Sequence, residues 1–373
     1  MGVEPAEPRV ALLCSGCGHV RRGLERFTQE LQIALSAGGA STELFGSTSR
    51  RETLCRGLPC VNSRRFPQLR DTRGGLMLEQ RTFAASFLAV QAVRRFDLVL
   101  VAERAVAHVL IEARRRLPAL TGRFGLIYST SAGLDAGKTL RYDFLRHATP
   151  VAFAASLEAG FPEERMRMIP HGQALRRVPP DRARFEIPGG AFVVLYSGAF
   201  VEEKRHRFLV EALARCRDRI PGLFVVFAGA GGPELPAVRD RLERLFPGAH
   251  RVGSFPPEAM PALGASCDLY VHARLGESFG NAFIEAQMQG LPVVAHPTPI
   301  HRFVLESGAI LENMECSEAV AEVVVRLHGD ASLRERLAAD ALRNAVRFDI
   351  GGVAQAFRRM FLEFAAPAPC RRA

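Results

Sequence analysis

Short apolar runs alternate with longer stretches of helical period along nearly the whole chain, and this alternation constrains the fold more than any other feature. A strand that is apolar on every residue must be covered on both faces. Strands separated by helices meet that need in a parallel sheet with helices on both sides. The first half offers strands at 9–14, 41–45, 98–102, 124–128, 151–154 and 166–169, with helices at 23–37, 74–95 and 105–116 between them. A second series follows, with strands at 191–196, 223–228, 251–252, 269–272, 292–295 and 309–311. Its helices are expected at 204–217, 233–245, 279–289, 317–327 and 332–346, and a last one at 352–364.

At 373 residues the chain is too long for one core, because domains usually hold about 100–200 residues. Two α/β domains are therefore expected. The first takes residues 1–176 and the second 177–351, while 352–373 form a helix crossing back to the first domain and a tail. Residues 172–190, with VPPDRARFEIPGG at their centre, have no period and read as the linker. Two copies of one architecture make the cleft between them the expected ligand site.

Lys and Arg number 49 against 39 Asp and Glu, a formal charge of +10 carried mostly by Arg. Such a surface attracts nucleotide phosphates or anionic headgroups, so peripheral contact with an anionic membrane face is one expectation. Trp is absent and Tyr numbers 4. That removes a stacking platform for single strands, and nucleic acid is not an expected partner. No apolar run reaches the ~18 residues of a membrane span, and the start MGVEPAEPRVALLC lacks the basic opening of a signal peptide. A cytoplasmic protein with free thiols is expected from its eight Cys.

The most informative string runs from Glu277 to Ala286, ESFGNAFIEA, between an apolar run and the stop-and-strand GLPVVA. Seven residues separate Glu277 from Glu285. On one helix the two carboxylates would stand about 12 Å apart. A glycosidase pair needs about 5–9.5 Å, so that chemistry is excluded. The longer gap suits an extended nucleotide-diphospho-sugar, one carboxylate on sugar hydroxyls and the other on ribose. The N–H groups of Phe279, Gly280 and Asn281 would then face the diphosphate.

The string resembles the E-x7-E signature of retaining GT-B glycosyltransferases of the large family 4 type. The loop GAFVEEKR from Gly198 to Arg205 is similar to the family's G-R-L-V-x-E-K-R, the turn IPHG at 169–172 to its I-P-N-G, and RGLERF at 22–27 to its G-G-x-E. The resemblance implies two Rossmann-like domains facing each other across a cleft, the first (1–176) binding the acceptor and the second (177–351) the donor, and transfer from a nucleotide-diphospho-sugar to an unidentified acceptor (glycan, lipid-linked glycan or natural product). It implies no cofactor and no metal, in keeping with the absence of D-x-D. By residue, Lys204 and Arg205 would neutralise the departing diphosphate and Glu277 would position the sugar. Glu285 would hold the ribose, while Gly198 lines the donor site and Gly23 lets backbone N–H groups approach the phosphates. Two departures stand out. Ala199 occupies the place of a phosphate-binding Arg, and the stretch IYSTSAG at 127–133 lacks the family's His.

The rival is a phosphate loop at 132–139, AGLDAGKT, which would make the protein a P-loop NTPase or kinase with Lys138 on the phosphates. It stands mid-domain and has no following strand that ends in Asp. Cys14 and Cys17 form a C-x-x-C better read as buried thiols than as a zinc or redox pair. His171, His272 and His296 fall at strand ends, where a structural role is the usual one.

Overall fold

The structure is a computed structural model that describes residues 7–19, 23–47, 54–62, 65–66, 68–69, 72–131 and 142–366. It divides into two compact units, Met1–Ala174 with Asp349–Ala373 and Leu175–Phe348.

The first unit holds a seven-stranded parallel sheet. Its strands are β1 (Val10–Leu13), β2 (Thr42–Gly46), β3 (Arg56–Gly57), β4 (Leu98–Val101), β5 (Gly125–Thr130), β6 (Phe144–His147) and β7 (Met166–Met168). Their order is β3-β2-β1-β4-β5-β6-β7, so the direction of winding reverses between β1 and β4. Every residue of β1 and β4 is buried, as expected of strands covered on both faces. One face buries Phe45, Phe83, Phe87 and Phe96, with Phe45, Phe87 and Phe96 in edge and stacked contacts. The other is covered by the helices Gly23–Ala37 and Ile350–Ala365, which bury Phe27, Leu31, Phe357 and Phe361 together. Asp349 caps the last helix by accepting from the Gly351 and Gly352 N–H groups.

One expectation fails here. Residues 151–154 are not a strand; they lie in the helix Pro150–Glu158. Thr149 accepts the Ala152 N–H at 3.3 Å and Pro150 fills the first turn, a start signal that outweighs the short apolar run. The sixth strand is instead β6, where Arg146 and His147 interrupt the apolar pattern although both are wholly buried. Arg146 NH1 donates to Ser129 Oγ at 3.0 Å and the Phe27 and Phe357 rings lie 5.3 and 5.0 Å from its guanidinium carbon, which offsets its burial only in part: burial pushes the guanidinium down to about 9.

The second unit holds a six-stranded parallel sheet of β8 (Phe192–Ser197), β9 (Leu223–Ala228), β10 (His250–Gly253), β11 (Leu269–His272), β12 (Val293–Ala295) and β13 (Ala309–Leu311). The order is β10-β9-β8-β11-β12-β13, with its own reversal between β8 and β11. Residues 175–190 do not run as a free connector. Arg182 donates to Ser266 O, Ala191 O and Asp268 Oδ2 at 2.9–3.1 Å, fastening the segment onto this unit. An aperiodic Arg- and Pro-rich composition therefore marks a strapped-down segment here.

Candidate functional site

Ligands of open parallel sheets gather beyond the carboxyl ends of the strands where the winding reverses. In the second unit that place is formed by the turns after β8 and β11. The Gly198 N–H donates to Ala228 O at 2.8 Å. A Cβ on Gly229, just after β9, would stand 1.8 Å from Gly198 O, so the turns after β8 and β9 approach each other as only glycine permits. A short 3-10 turn, Glu202–Lys204, follows. Arg205 then takes the left-handed conformation, φ 53°, and the helix His206–Cys216 begins. The buried Tyr196 hydroxyl donates to Lys204 O at 2.7 Å and fixes the turn from below.

Strand β11 delivers His272 and the loop that carries Arg274 and Glu277. Lys204 Nζ pairs with Glu277 Oε1. His272 Nε2 lies 3.2 Å from the same oxygen, and Arg274 NH1 donates to Oε2 at 2.9 Å. The Glu277 side chain is only 10% exposed. Burial alone would push its carboxyl up. The hydrogen bond from His272 and the charge of Lys204 oppose burial and win, so the pKa falls to about 2. Burial pushes the His272 imidazole down; its Nε2 faces the carboxylate and its Nδ1 lies 3.3 Å from the Tyr270 hydroxyl. The result is a fixed anion under two cations.

Glycine conformation sets where the next helix starts. Gly280 has φ 95°, and a Cβ there would meet the Phe283 ring at 2.4 Å. The helix is Asn281–Met288, two residues later than the pattern suggests. Glu277 therefore precedes it, and the separation from Glu285 is not a helical rise. Only the last part of ESFGNAFIEA follows the 1.5 Å step. Phe279 is 2% exposed and packs on Phe348 at 5.8 Å, so its side chain belongs to the core while Gly280 caps the helix. Asn281 and Glu285 lie in the first and second turns, both half-buried. The positive end of this helix points to the same side as the strand ends.

Arg205 sends NH1 to Ala273 O at 3.0 Å and Met314 O at 2.6 Å, with its guanidinium carbon 4.2 Å from the Phe208 ring centre. It braces the loop that bears Arg274 and Glu277. The second cation on Glu277 is Arg274, a residue to which no sequence motif led. His272 reads from the sequence only as a strand-end histidine. A polar residue closing an apolar strand, followed within two positions by Arg, was the available signal. His296 and His171 have other contacts: His296 accepts the Met314 N–H at 3.2 Å, and His171 stacks on Phe27 at 4.6 Å. In the first unit Gly23 is the exposed first residue of the helix Gly23–Ala37. Cys14, Cys17 and Cys55 are buried and form no disulfide among the described residues, and the bond with Cys14 and burial push the Cys17 thiol up. The phosphate-loop candidate, 132–139, lies outside the described residues.

Residues 178–343 match the family described as "Glycosyl transferases group 1". The lipopolysaccharide core biosynthesis glycosyltransferase LpsE of Rhizobium meliloti is 31% identical over 170 residues, 44% of this chain and 47% of that protein. A D-inositol 3-phosphate glycosyltransferase of Corynebacterium jeikeium is 30% identical over 219 residues, 53% of this chain and 52% of that one. The chain thus spans about half the length of the curated relatives it matches. Among solved structures, sucrose-phosphate synthase from Thermosynechococcus elongatus superposes with a TM-score of 0.78 at 19% identity, over 95% of this chain and 99% of that one. HepE from Anabaena, solved with UDP and glucose, gives 0.74 at 18% identity over 94% and 98%. These likenesses show the fold, two Rossmann-like units of the GT-B type. The match to the glycosyl transferases group 1 family is thus confined to residues 178–343, in the second unit, while the likeness in fold extends over nearly the whole chain.

Proposed function

We propose that the protein is a retaining glycosyltransferase that moves a sugar from a nucleotide-diphospho-sugar to a hydroxyl-bearing acceptor without a metal ion or cofactor. The observation that carries this reading is Glu277, a buried carboxylate kept anionic by Lys204, Arg274 and His272 beside the start of the helix Asn281–Met288. A departing nucleoside diphosphate gains negative charge as the sugar bond breaks. Fixed cations lower that barrier without reorganising at the moment of reaction. Lys204 and Arg274 supply them, and the helix start adds its positive end. Glu277, freed from part of its ion pairing when phosphates arrive, accepts from sugar hydroxyls. Glu285, in the second turn of that helix, accepts from ribose hydroxyls.

The likeness to HepE, which binds UDP and glucose, favours a UDP-sugar as the first donor to try. The likeness to a lipopolysaccharide core glycosyltransferase and to a D-inositol 3-phosphate glycosyltransferase favours a glycan or polyol acceptor. No helix among the described residues is long and apolar enough to cross a membrane. A cytoplasmic protein with peripheral contact to an anionic surface fits the charge of +10. Arg115 and Arg116, however, share Glu112, and Arg114 pairs with Asp143, which mutes the most basic helix end.

The test is a thermal-shift and transfer screen against UDP-, GDP-, ADP- and TDP-sugars with EDTA present. A donor at about 100 times its Kd stabilises the folded protein by about 2.7 kcal/mol. One of the four classes should do so and be turned over. Failure of all four to stabilise the protein, or turnover only with added metal, overturns the reading.

A further inference from the structure

The carboxylate of Glu277 is surrounded by more positive charge than its own neutralisation requires. Lys204 Nζ pairs with Oε1, and His272 Nε2 lies 3.2 Å from the same oxygen. Arg274 NH1 donates to the other oxygen, Oε2, at 2.9 Å. One cation balances one carboxylate, so the second is surplus. A neutral donor such as a glutamine amide would satisfy Oε2 as well. Satisfying Glu277 therefore does not by itself call for a guanidinium.

The surplus charge is also the outermost. The Glu277 side chain is 10% exposed, against 22% for Lys204 and 36% for Arg274. A ligand that reaches this point meets N–H donors before it meets the carboxylate. Arg274 is held from two sides. It stands two residues past the end of β11, and Arg205 NH1 donates to the preceding carbonyl, Ala273 O, at 3.0 Å. Its ion pair with Glu277 fixes the far end. An arginine restrained in this way gives up little side-chain freedom when a ligand arrives.

A planar guanidinium fork matches a carboxylate better than any other anion of similar size, because two parallel N–H bonds can form. On a hexuronate ring the carboxylate is attached at C5, next to the carbon that bears the C4 hydroxyl. Glu277 Oε2 and Arg274 NH1 are an acceptor and a donor 2.9 Å apart. Such a pair fits neighbouring hydroxyl and carboxylate groups. A neutral hexose brings only a CH2OH to the same place and forms no ion pair there.

We propose that Arg274 selects a donor whose sugar is a hexuronate, by binding its C6 carboxylate beside Glu277. The inference rests on the donor reading above, in which Lys204 faces the diphosphate and Glu277 the sugar hydroxyls. The charge of Arg274 acts on the diphosphate through space. Its N–H groups are directional and serve the sugar.

The experiment is isothermal titration of the full chain, with EDTA present, using UDP, UDP-glucose and UDP-glucuronate, and GDP, GDP-mannose and GDP-mannuronate. The two sugars of each set differ at C6 alone. In one set the uronate donor should bind about tenfold more tightly than the neutral one, as expected of a charge-assisted contact that stays partly in water. Arg274→Gln should make the two affinities equal. The ratio cancels any effect common to both donors, the field at the diphosphate included. Arg274→Lys, which keeps the charge and loses the fork, should leave an intermediate ratio. Binding of the free nucleotide shows that each variant is folded. Equal affinities in the wild type, or a preference that Arg274→Gln leaves intact, overturns the proposal while the donor reading stands. Absence of binding by every probe overturns both.

Discussion

Replacing Glu277 by Gln removes the charge that Lys204, His272 and Arg274 surround while keeping nearly the same shape. The carboxyl moves from its ordinary 4.5 to about 2 in the folded protein. At about 1.36 kcal/mol per pH unit that difference is worth roughly 3 kcal/mol at neutral pH. The sign follows from the direction. A carboxyl whose folded pKa is depressed stabilises the fold above its unfolded value, about 4.5, and loses that contribution as pH falls toward 2. Glu277→Gln, which resembles the protonated acid, should be less stable than the wild type by about 3 kcal/mol at pH 7 and by only about 1.4 kcal/mol at pH 3. Urea unfolding of the two proteins at pH 7, 5, 4 and 3, followed by the transition of the second unit, measures the gap. An exposed ion pair would give under about 1 kcal/mol throughout. A gap that is the same at pH 3 and pH 7 refutes the electrostatic account of this carboxylate, whatever its absolute size. The same variant should lack sugar transfer.

The other expectations concern the neighbours of that group. Lys204→Ala should lower turnover about 10²–10³-fold in a steady-state transfer assay, since one fixed cation of the departing diphosphate is lost; an unchanged turnover number would move the role to Arg274. Glu285→Ala should raise the donor KM and leave kcat within severalfold, and the reverse pattern would put Glu285 on the reacting sugar. Gly280→Ala meets both a positive φ and the Phe283 ring, so thermal unfolding should show a loss of about 1–3 kcal/mol, and a wild-type melt would mean the helix start is not so constrained.

Much of this arrangement is legible without coordinates. Continuous apolar runs such as FVVL and LFVVFA can only be strands buried on both faces, and their alternation with helices leaves parallel sheets as the answer. The E-x7-E string leads to Glu277 and the GAFVEEKR loop to Lys204, which the fold brings into contact across 73 positions. What pattern reading loses are the places where one residue overrides its neighbourhood. Gly280 delays a helix, Pro150 turns a candidate strand into a helix, and buried Arg146 hides a strand whose charge is met by rings rather than by a carboxylate. Arg274 escapes notice for another reason. Its function depends on which side of a loop it leaves, and composition carries no record of that.

The first unit is discontinuous, closed by the helix Ile350–Ala365, and this bears on the order in which a ribosome can deliver a finished protein. Residues 175–348 emerge without interruption and hold every strand of their own sheet. The earlier segment emerges first but cannot close. Phe27, Leu31 and Leu35 wait for Val353, Phe357 and Phe361, which appear more than 300 residues later. Until then an apolar helix face stays open to solvent and to other nascent chains. Synthesis halted shortly before Asp349 would therefore release a finished second unit attached to an unfinished first one. Such a truncated chain should be held by chaperones through the Phe27 face, whereas one halted just after Ala366 should not.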